Sequence, residues 1–306
     1  MHGTPGNPLV SIVIAAYQQP EYLNQALRSI AAQTYSAIEI VVVDDASGAE
    51  HTAKYELPCN ARLIVHDKRS GIAAVTRNTG IEAARGEYIA FLDQDDLWLP
   101  EKLSWQVEQM QKRPDARLIF GHFQRIDTAG NPSDNLTSPP RLRRDLLRQI
   151  IRRNFIQCPS QVLISRTTLQ EIGFFDPTIR GSADWELWIR AVAAGPIIAD
   201  PRVMTLYRQH DQQWSHNHIM IRQGGARTME KTASWIGTVR PDLRWQVRRR
   251  WARWLREVAR AQFRSTQRDE RAEALRTLRR GLKLWPLDVQ GWSVGVCGLL
   301  HLPCPI

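Results

Sequence analysis

The residues with the clearest chemical potential are acidic side chains at the end of an apolar run. That run leads directly into Asp93-Gln94-Asp95-Asp96, so carboxylates two residues apart leave a predicted strand. Hard divalent cations prefer carboxylate oxygens and keep open positions for phosphate oxygens. We therefore predict that Asp93 and Asp95 bind Mg²⁺ or Mn²⁺ beside a phosphate-bearing ligand. An acidic loop that caps the helix after residue 98 is the alternative interpretation.

Alternating strands and helices position this acidic segment. Apolar runs predict strands at residues 10–15, 38–43, 63–65 and 88–92, and apolar positions at helical spacing predict helices at residues 21–32 and 72–84. Strands that are apolar on both faces and alternate with helices imply a parallel sheet covered on both sides. Such sheets bind ligands at the carboxyl ends of their strands, where loops and helix N-termini meet. The N-terminal half is thus predicted to be α/β, with its polar residues clustered at one sheet edge.

The rest of the chain carries a second set of predicted elements. Further strands are expected at residues 118–121, 162–165 and 204–208, with a helix at residues 184–194. After about Gln223 the pattern changes to Arg-rich helices. We therefore predict two domains, an α/β domain over residues 1–222 and a basic, Trp-rich helical extension over residues 223–306.

Composition argues for a folded chain with an asymmetric charge distribution. Hydrophobic residues make up 43% of the 306 residues, enough for a sizeable core. The net charge is +10, yet residues 222–283 alone hold 18 Lys and Arg against 6 Asp and Glu. The part that carries the acidic motif is therefore close to neutral.

Cysteine usage and the N-terminus restrict the compartment. The four cysteines, Cys59, Cys158, Cys297 and Cys304, form no CxxC pair and have no histidines at ligand spacing. Neither a zinc site nor a disulfide framework is indicated. No basic segment followed by a long apolar run opens the chain, so a signal peptide is not predicted and the expected compartment is the cytoplasm.

Four segments of the N-terminal half share their order with a known family. In chain order they are Val10-Ser-Ile-Val-Ile-Ala-Ala-Tyr17, Gln33-Thr-Tyr35 before Glu39-Ile-Val-Val-Val-Asp-Asp45, Thr76-Arg-Asn-Thr-Gly80, and Gly86-Glu-Tyr-Ile-Ala-Phe-Leu-Asp-Gln-Asp-Asp96. Together they resemble family-2 glycosyltransferases. The resemblance implies a Rossmann-like GT-A fold. It also implies transfer of a sugar from a nucleotide-diphosphate sugar to an acceptor hydroxyl with inversion, with a UDP-linked donor favoured.

The resemblance also implies a donor-binding role for individual residues. Ala15 and Tyr17 should flank the base, while Asp45 and Asp44 hold the uracil or ribose, since carboxylates suit N–H and O–H donors. Gly71 should let the backbone approach the nucleotide.

Residues around the acidic motif are expected to meet the diphosphate. Arg77 either contacts the diphosphate or holds the acidic cluster together. Asp93 and Gln94 join the donor-binding set, and Asp93 and Asp95 hold the Mn²⁺ or Mg²⁺ ion. By the family's terminal segment, His210 completes that metal shell, with a solvated loop histidine as the alternative.

A second block, from Gly173 to Arg190, is expected to supply the catalytic base. By resemblance Asp184 deprotonates the acceptor hydroxyl, although Ala183 stands where the family has glutamate. A helix cap is the alternative for Asp184. Trp185 and Trp188 lie three residues apart, so core packing is favoured over stacking on the acceptor, and Glu186 is expected to be solvated or structural.

Two other segments concern the acceptor. The Pro-, Ser- and Asn-rich residues 130–140 are predicted to form an acceptor-facing loop, and the acceptor is expected to be a saccharide or lipid-linked. Tryptophans among arginines in residues 222–283 suit the headgroups of an anionic membrane, which predicts peripheral attachment at the inner membrane face. A helical subdomain with solvated arginines is the alternative, and no nucleic-acid partner is expected.

The predicted role is cell-surface polysaccharide or glycolipid assembly. A nucleotidyltransferase is disfavoured because residues 10–17 lack a Gly-rich, basic phosphate loop. A catalytically inactive nucleotide-sugar-binding or scaffold protein remains an alternative, since Ala183 departs from the family pattern.

Overall fold

The computed structural model describes residues 6–133, 139–211, 213, 216–264 and 268–299. Two compact units are present: Met1–Arg144, Phe155–Pro177 and Arg190–Asp211 form the first, and Asp145–Asn154, Thr178–Ile189 and Gln212–Ile306 form the second. The second unit therefore includes two segments upstream of the predicted extension. A domain boundary after residue 222 stays a prediction. Residues 134–138 of the predicted acceptor-facing loop, and Cys304, lie outside the described residues.

The first unit is built on a sheet of eight strands. They are β1 (Val10–Ala16), β2 (Ile38–Asp44), β3 (Ala61–Val65), β4 (Tyr88–Asp93), β5 (Leu97–Trp98), β6 (Leu118–Ile126), β7 (Val162–Ser165) and β8 (Ile198–Arg208), in the order β3-β2-β1-β4-β7-β6-β8-β5. The first four strands pair in parallel, as predicted. Beyond β4 the sheet is mixed, because β7 runs antiparallel to both its neighbours and β5 runs antiparallel to β8.

The helices predicted at residues 21–32, 72–84 and 184–194 are present, and further helices occur between and after them. The described helices are α1 (Pro20–Ala31), α2 (Ala49–Thr52), α3 (Ala73–Ala83), α4 (Lys102–Lys112), α5 (Leu146–Arg152), α6 (Arg166–Ile172), α7 (Ala183–Ala194), α8 (His218–Val239), α9 (Arg244–Phe263), α10 (Arg268–Leu284) and α11 (Val289–Leu299). Among them, α1 buries Leu23, Leu27 and Ile30 on one face, which is the helical spacing expected of a helix that covers a sheet.

The apolar strands form the core of the first unit. Ile12, Ile14 and Val42 are fully buried and belong to one cluster that continues into α1 and α4. On the other side, α3 packs so closely on β1 that a Cβ at Gly80 would lie 2.3 Å from a methyl carbon of Val13. This contact explains the glycine at the end of the Thr76-Arg-Asn-Thr-Gly80 motif, because only glycine permits that approach.

The second unit is helical and combines α5, the first half of α7 and α8 to α11. Trp185 is 4% exposed and its indole N–H donates to the Ile150 carbonyl at 2.8 Å. Trp188 is fully buried, so the prediction that both tryptophans pack in the core is confirmed. Within the described residues, none of the helices combines the length and apolarity that crossing a membrane requires.

Asp145 joins α5 to the helices that follow in this unit. Its carboxylate accepts the Arg148 N–H at 3.0 Å and pairs with the Arg240 guanidinium at 2.9 Å. These hydrogen bonds, the one from Arg240 above all, lower the pKa of Asp145 to about 2. An ionised Asp145 therefore both caps α5 and attaches it to the end of α8.

Candidate active site

The carboxyl ends of three adjacent strands meet at one edge of the first unit's sheet. Pairing of β1 with its neighbours places Ala16 opposite Asp44 and Ala15 opposite Asp93. The loops after β1, β2 and β4 therefore start at the same level. The predicted cluster of polar residues at one sheet edge is confirmed by this register.

Two of these loops hold non-glycine residues in the left-handed region. Gln18 and Gln19 after β1 have φ angles of 52° and 55°, and Ala46 after β2 has a φ angle of 62°. Such conformations are costly for residues with a Cβ and persist where surrounding contacts enforce them. One such contact joins the loops, since the Gln18 N–H donates to the Ser47 hydroxyl at 2.6 Å.

The side chain of Gln94 connects the acidic turn to the first loop. Its amide oxygen accepts the Tyr17 N–H at 2.8 Å, and its amide nitrogen donates to the Tyr17 carbonyl at 3.1 Å. The Arg69 guanidinium lies 4.0 Å from the centre of the Tyr17 ring. Gln94 thus sets the backbone of the residue that is predicted to flank the base, and both Tyr17 and Ala15 are partly exposed at this edge.

The two acidic residues at the end of β2 have different environments. Asp44 is fully buried, and its carboxylate accepts hydrogen bonds from the Ser47 N–H, the Ser47 hydroxyl and the Tyr55 hydroxyl. Burial, and the hydrogen bond to Asp44, raise the pKa of Tyr55. Asp44 therefore orders the turn after β2 from inside the protein. A direct contact between Asp44 and the donor stays a prediction, and the buried carboxylate has no exposed surface for that contact.

Asp45 organises the loop that contains Gly71. Its two carboxylate oxygens accept the Ser70 N–H at 2.9 Å and the Gly71 N–H at 2.8 Å, and His66 Nδ1 lies 3.0 Å away. Burial raises the pKa of Asp45, but the hydrogen bonds from Ser70, His66 and Gly71 outweigh it and lower the pKa below its usual value. Gly71 has a φ of +62°, and a side chain at this position would meet no atom within 4 Å of its Cβ. The glycine is therefore required for its backbone angle and not for lack of space.

We expect Asp45→Asn to lower the free energy of unfolding by about 2 kcal/mol, because one oxygen that accepts a backbone N–H is replaced by an NH₂ donor. The folded pKa of Asp45 lies below the unfolded value of about 3.9, so its stabilisation is present above about pH 4 and is lost as the pH falls through the folded pKa. Urea unfolding of both proteins over this range should show the difference shrinking in acid. Asp115→Asn, at an exposed aspartate, is the control. A difference that grows in acid would contradict the assignment.

Each carboxylate of the Asp93-Gln94-Asp95 turn is paired with a basic side chain. Asp93 Oδ1 contacts Arg77 Nη2 at 2.5 Å, and Asp95 Oδ2 lies 2.9 Å from His210 Nε2. The Asp93 and Asp95 side chains are 23% and 21% exposed. Both carboxylates are therefore accessible at the sheet edge and are held in place by groups from α3 and from the end of β8.

Asp96 closes this turn from the inside. Its N–H donates to the Asp93 carbonyl at 3.1 Å, and its fully buried carboxylate accepts the Ser160 hydroxyl at 2.6 Å and the Arg208 N–H at 3.1 Å. Burial and the nearby charges of Asp95 and Asp93 raise the pKa of Asp96 well above its usual value. Asp96 is therefore a structural support for the acidic pair.

The donor set of this turn fits a hard divalent cation in its chemistry. Asp93 and Asp95 supply accessible carboxylate oxygens, and His210 adds an imidazole nitrogen beside Asp95. Within the described residues, no three His, Cys, Asp or Glu side chains are already arranged as a metal centre. The residues thus suit Mn²⁺ or Mg²⁺ with phosphate oxygens as further ligands, and metal binding stays a prediction.

Arg208, two residues before His210, has no role predicted from the sequence, yet it makes several hydrogen bonds at the site. Its buried guanidinium donates to the carbonyls of Asp95, Asp127 and Thr128 and to the Gln25 side chain, at 2.8–3.2 Å. It therefore ties the acidic turn to α1 and to the turn after β6. A charged residue within a strand-like run was the available signal, but its partners are not visible in the sequence.

Arg208→Met should lower the free energy of unfolding by about 3 kcal/mol, because it leaves buried carbonyls without their donor. Equilibrium urea unfolding measures this change. Arg28→Met provides the matched control, since Arg28 forms an exposed ion pair with Glu56 and should cost less than about 0.5 kcal/mol. Equal effects of the two substitutions would show that the Arg208 contacts contribute little.

Asp184 belongs to the second unit, whereas the acidic turn belongs to the first. It lies in the first turn of α7, one residue inside a helix that begins at Ala183, and its side chain is partly exposed. The buried neighbour Glu186 is 4% exposed, which makes it structural and not solvated. The role of Asp184 as a base stays a prediction.

Asn78 has a structural contact. Its side-chain amide donates to the Phe175 carbonyl at 2.8 Å and accepts the Phe175 N–H at 3.1 Å. This pair attaches α3 to the Gly173-Phe-Phe-Asp-Pro177 segment.

The fold is similar to that of two proteins of known structure. It is similar to S. aureus TarS 1–349 in complex with UDP-GlcNAc, with a TM-score of 0.68 and 17% identity over 96% of this chain and 86% of that one. It is also similar to the mannosyltransferase PcManGT from Pyrobaculum calidifontis in complex with GDP-Man and Mn²⁺, with a TM-score of 0.60 and 16% identity over 96% and 79%. The GT-A fold with C-terminal helices that the sequence predicted is confirmed.

Sequence comparison gives the family. The family model for glycosyl transferase family 2 matches residues 11–173. An uncharacterized glycosyltransferase of Rickettsia felis is 31% identical over 215 residues, which cover 68% of this chain and 35% of the relative. The chain thus spans about a third of the length of its relatives from Rickettsia felis and Rickettsia conorii. It belongs to glycosyl transferase family 2.

Proposed function

We propose that this chain transfers a sugar from a nucleotide-diphosphate sugar to an acceptor hydroxyl with inversion, with the help of a divalent cation. The observation that carries the proposal is the junction of loops at the sheet edge. There, Gln94 connects the acidic turn to Tyr17, and Asp45 organises the loop at Gly71. This edge of the sheet therefore presents the partly exposed ring of Tyr17 and the accessible carboxylates of Asp93 and Asp95. The ring suits the base of a nucleotide, and the carboxylates suit a cation at its diphosphate.

The proposed donor is a nucleotide-diphosphate sugar, with UDP as the first candidate. In support, TarS was solved with UDP-GlcNAc and PcManGT with GDP-Man and Mn²⁺. The Tyr17 ring and the Arg69 guanidinium offer flat surfaces beside the proposed base position. The ribose is proposed to lie beside the loop at Gly71, which Asp45 holds in place. Arg77 adds positive charge at Asp93, where the diphosphate would carry its negative charge.

Asp93, Asp95 and His210 would hold Mn²⁺ or Mg²⁺. A bound divalent cation supplies positive charge that stabilises the departing nucleotide diphosphate. The protein itself holds these ligands in position before the donor binds. Asp96 contributes through its hydrogen bond with Ser160, and Arg208 contributes by donating to the Asp95 carbonyl. Ligands that are held in advance need no reorganisation when charge develops on the leaving group.

Asp184 is proposed as the base. Its carboxylate takes the proton of the acceptor hydroxyl while the hydroxyl oxygen attacks the anomeric carbon and the bond to the diphosphate breaks. Attack from the side opposite the leaving group inverts the anomeric configuration. The acceptor is proposed to be a saccharide or lipid-linked sugar in cell-surface polysaccharide or glycolipid assembly, reached from the cytoplasmic side with residues 222–283 facing an anionic membrane.

The donor is identified by titrating the full chain with a panel of UDP-, GDP- and TDP-sugars in the presence of Mn²⁺. We expect one nucleotide class to bind, and binding to weaken when EDTA removes the metal. Binding without turnover towards any acceptor would favour the inactive nucleotide-sugar-binding alternative, which the alanine at position 183 suggests. Absence of binding by every donor with any metal would overturn the proposal.

A further inference from the structure

An exposed apolar segment connects the last two helices of the second unit. Residues 285–292 contain the turn between α10 and α11, and we call them the apolar turn. Leu287 is 77% exposed, Val289 is 78% exposed and Trp292 is 56% exposed. Isolated apolar residues on a surface are ordinary, whereas a cluster of large ones within a few residues marks a contact site.

Specific contacts hold the apolar turn in shape. Asp288 forms an ion pair with Arg256 of α9, and the two side chains are only 11% and 8% exposed. The Trp292 indole N–H donates to the Pro286 carbonyl at 3.0 Å. Because Asp288 points inward to its partner, Leu287 and Val289 on either side of it remain at the surface. The exposed side chains are thus presented by a fixed scaffold.

Aromatic and basic residues of α9 lie beside the apolar turn. Trp245 is 48% exposed and its ring centre lies 6.5 Å from that of Trp285. Arg248 and Arg249, three and four residues further along α9, are exposed and share the helix side of Trp245. Apolar side chains, tryptophan rings and cations therefore lie next to one another.

The surrounding charge is mainly positive. Seven arginines but only one acidic residue, Glu257, occur in α9. From residue 274 to residue 299 the sequence has four basic residues and one acidic residue, Asp288, which the buried ion pair neutralises. A partner for this surface must accept apolar side chains and carry negative charge at its edge.

We propose that the apolar turn inserts into the headgroup region of an anionic phospholipid bilayer, with Trp245, Arg248 and Arg249 at the lipid phosphates. The inference rests on the proposed function, in which an anionic membrane is a partner. It adds that the element entering the bilayer is the apolar turn, which lies outside residues 222–283. Tryptophan and short apolar side chains partition into this region, and each nearby arginine adds electrostatic attraction. A symmetric contact between two copies is disfavoured, since it would bring the same arginines face to face.

Vesicle sedimentation of the full chain tests the proposal. The vesicles are equimolar phosphatidylcholine and phosphatidylglycerol, with pure phosphatidylcholine as the uncharged comparison. Leu287→Ser combined with Val289→Ser should weaken binding roughly ten-fold or more, since each side chain loses the benefit of leaving water. Ile219→Ser, at an aliphatic residue of α8 that is 49% exposed and lies outside residues 222–283, is the matched control and should bind as wild type does.

Further variants separate electrostatic attraction from insertion of the apolar side chains. Arg248→Ala combined with Arg249→Ala should weaken binding at low salt and leave little difference at high salt. Unfolding midpoints and donor binding should be unchanged in every variant, so a failure of donor binding in the wild type concerns the proposed function alone. Equal sedimentation of wild type and the Leu287 and Val289 variant would overturn the insertion. Concentration-dependent dimers that this variant abolishes would overturn it in favour of a second copy.

Discussion

Asp95→Ala should reduce turnover of the nucleotide sugar by about a thousand-fold or more, because it removes a carboxylate proposed to hold the cation at the diphosphate. Donor affinity in the presence of Mn²⁺ should fall with it. The free energy of unfolding should change little, since the lost contact with His210 is offset by relief of the repulsion between Asp95 and buried Asp96. A loss of activity together with unchanged or higher stability is a result that a purely structural role for Asp95 does not produce.

Release of nucleoside diphosphate and calorimetric titration of the donor measure the two effects of Asp95→Ala. Asp115→Ala is the matched control, because Asp115 is an exposed aspartate paired with Arg113. His210→Gln should reduce turnover and donor affinity less than Asp95→Ala does, since His210 contacts Asp95 through one nitrogen. Turnover of Asp95→Ala within a few-fold of wild type would remove the acidic turn from the mechanism.

Asp184→Asn should leave donor affinity unchanged within about two-fold and reduce turnover by about 100- to 10,000-fold, because the amide cannot accept the hydroxyl proton. Retained binding is expected since Asp184 is proposed to act on the acceptor and not on the donor. The side chain keeps its size and its place in the first turn of α7, so a folding defect is not expected.

The same two measurements test Asp184→Asn. Asp269→Asn, at an exposed aspartate in the first turn of α10, is the control. A loss of donor affinity equal to the loss of turnover would show that Asp184 supports the donor site instead.

The N-terminal half of the fold could be predicted because its signals are local. Runs such as residues 38–43 are apolar on both faces, and their lengths suit strands between helices. The antiparallel placement of β7 and the short strand β5 were not predictable, since they depend on partners more than 40 residues away along the chain. The grouping of α5 with α8, through Asp145 and Arg240, is equally non-local.

The candidate site was predictable in its residue types and less so in their roles. The acidic turn after β4 was predicted from spacing, and its position beside the end of β1 and level with the end of β2 follows from parallel pairing. Asp44 and Asp45 look alike in sequence, yet one is sealed inside by Tyr55 and the other organises the loop at Gly71. Only the register and the burial of the neighbouring residues distinguish them.

The most direct test of the central claim is an analysis of the products formed from the bound donor with Mn²⁺ and with EDTA. The proposed function predicts nucleoside diphosphate and free or transferred sugar in equal amounts, with an inverted anomeric configuration by NMR and no reaction after removal of the metal. Nucleoside monophosphate with a sugar phosphate would contradict it, because that bond cleavage belongs to a nucleotidyltransferase or a pyrophosphatase. Intact donor under every condition would contradict it as well and would leave a nucleotide-sugar-binding protein.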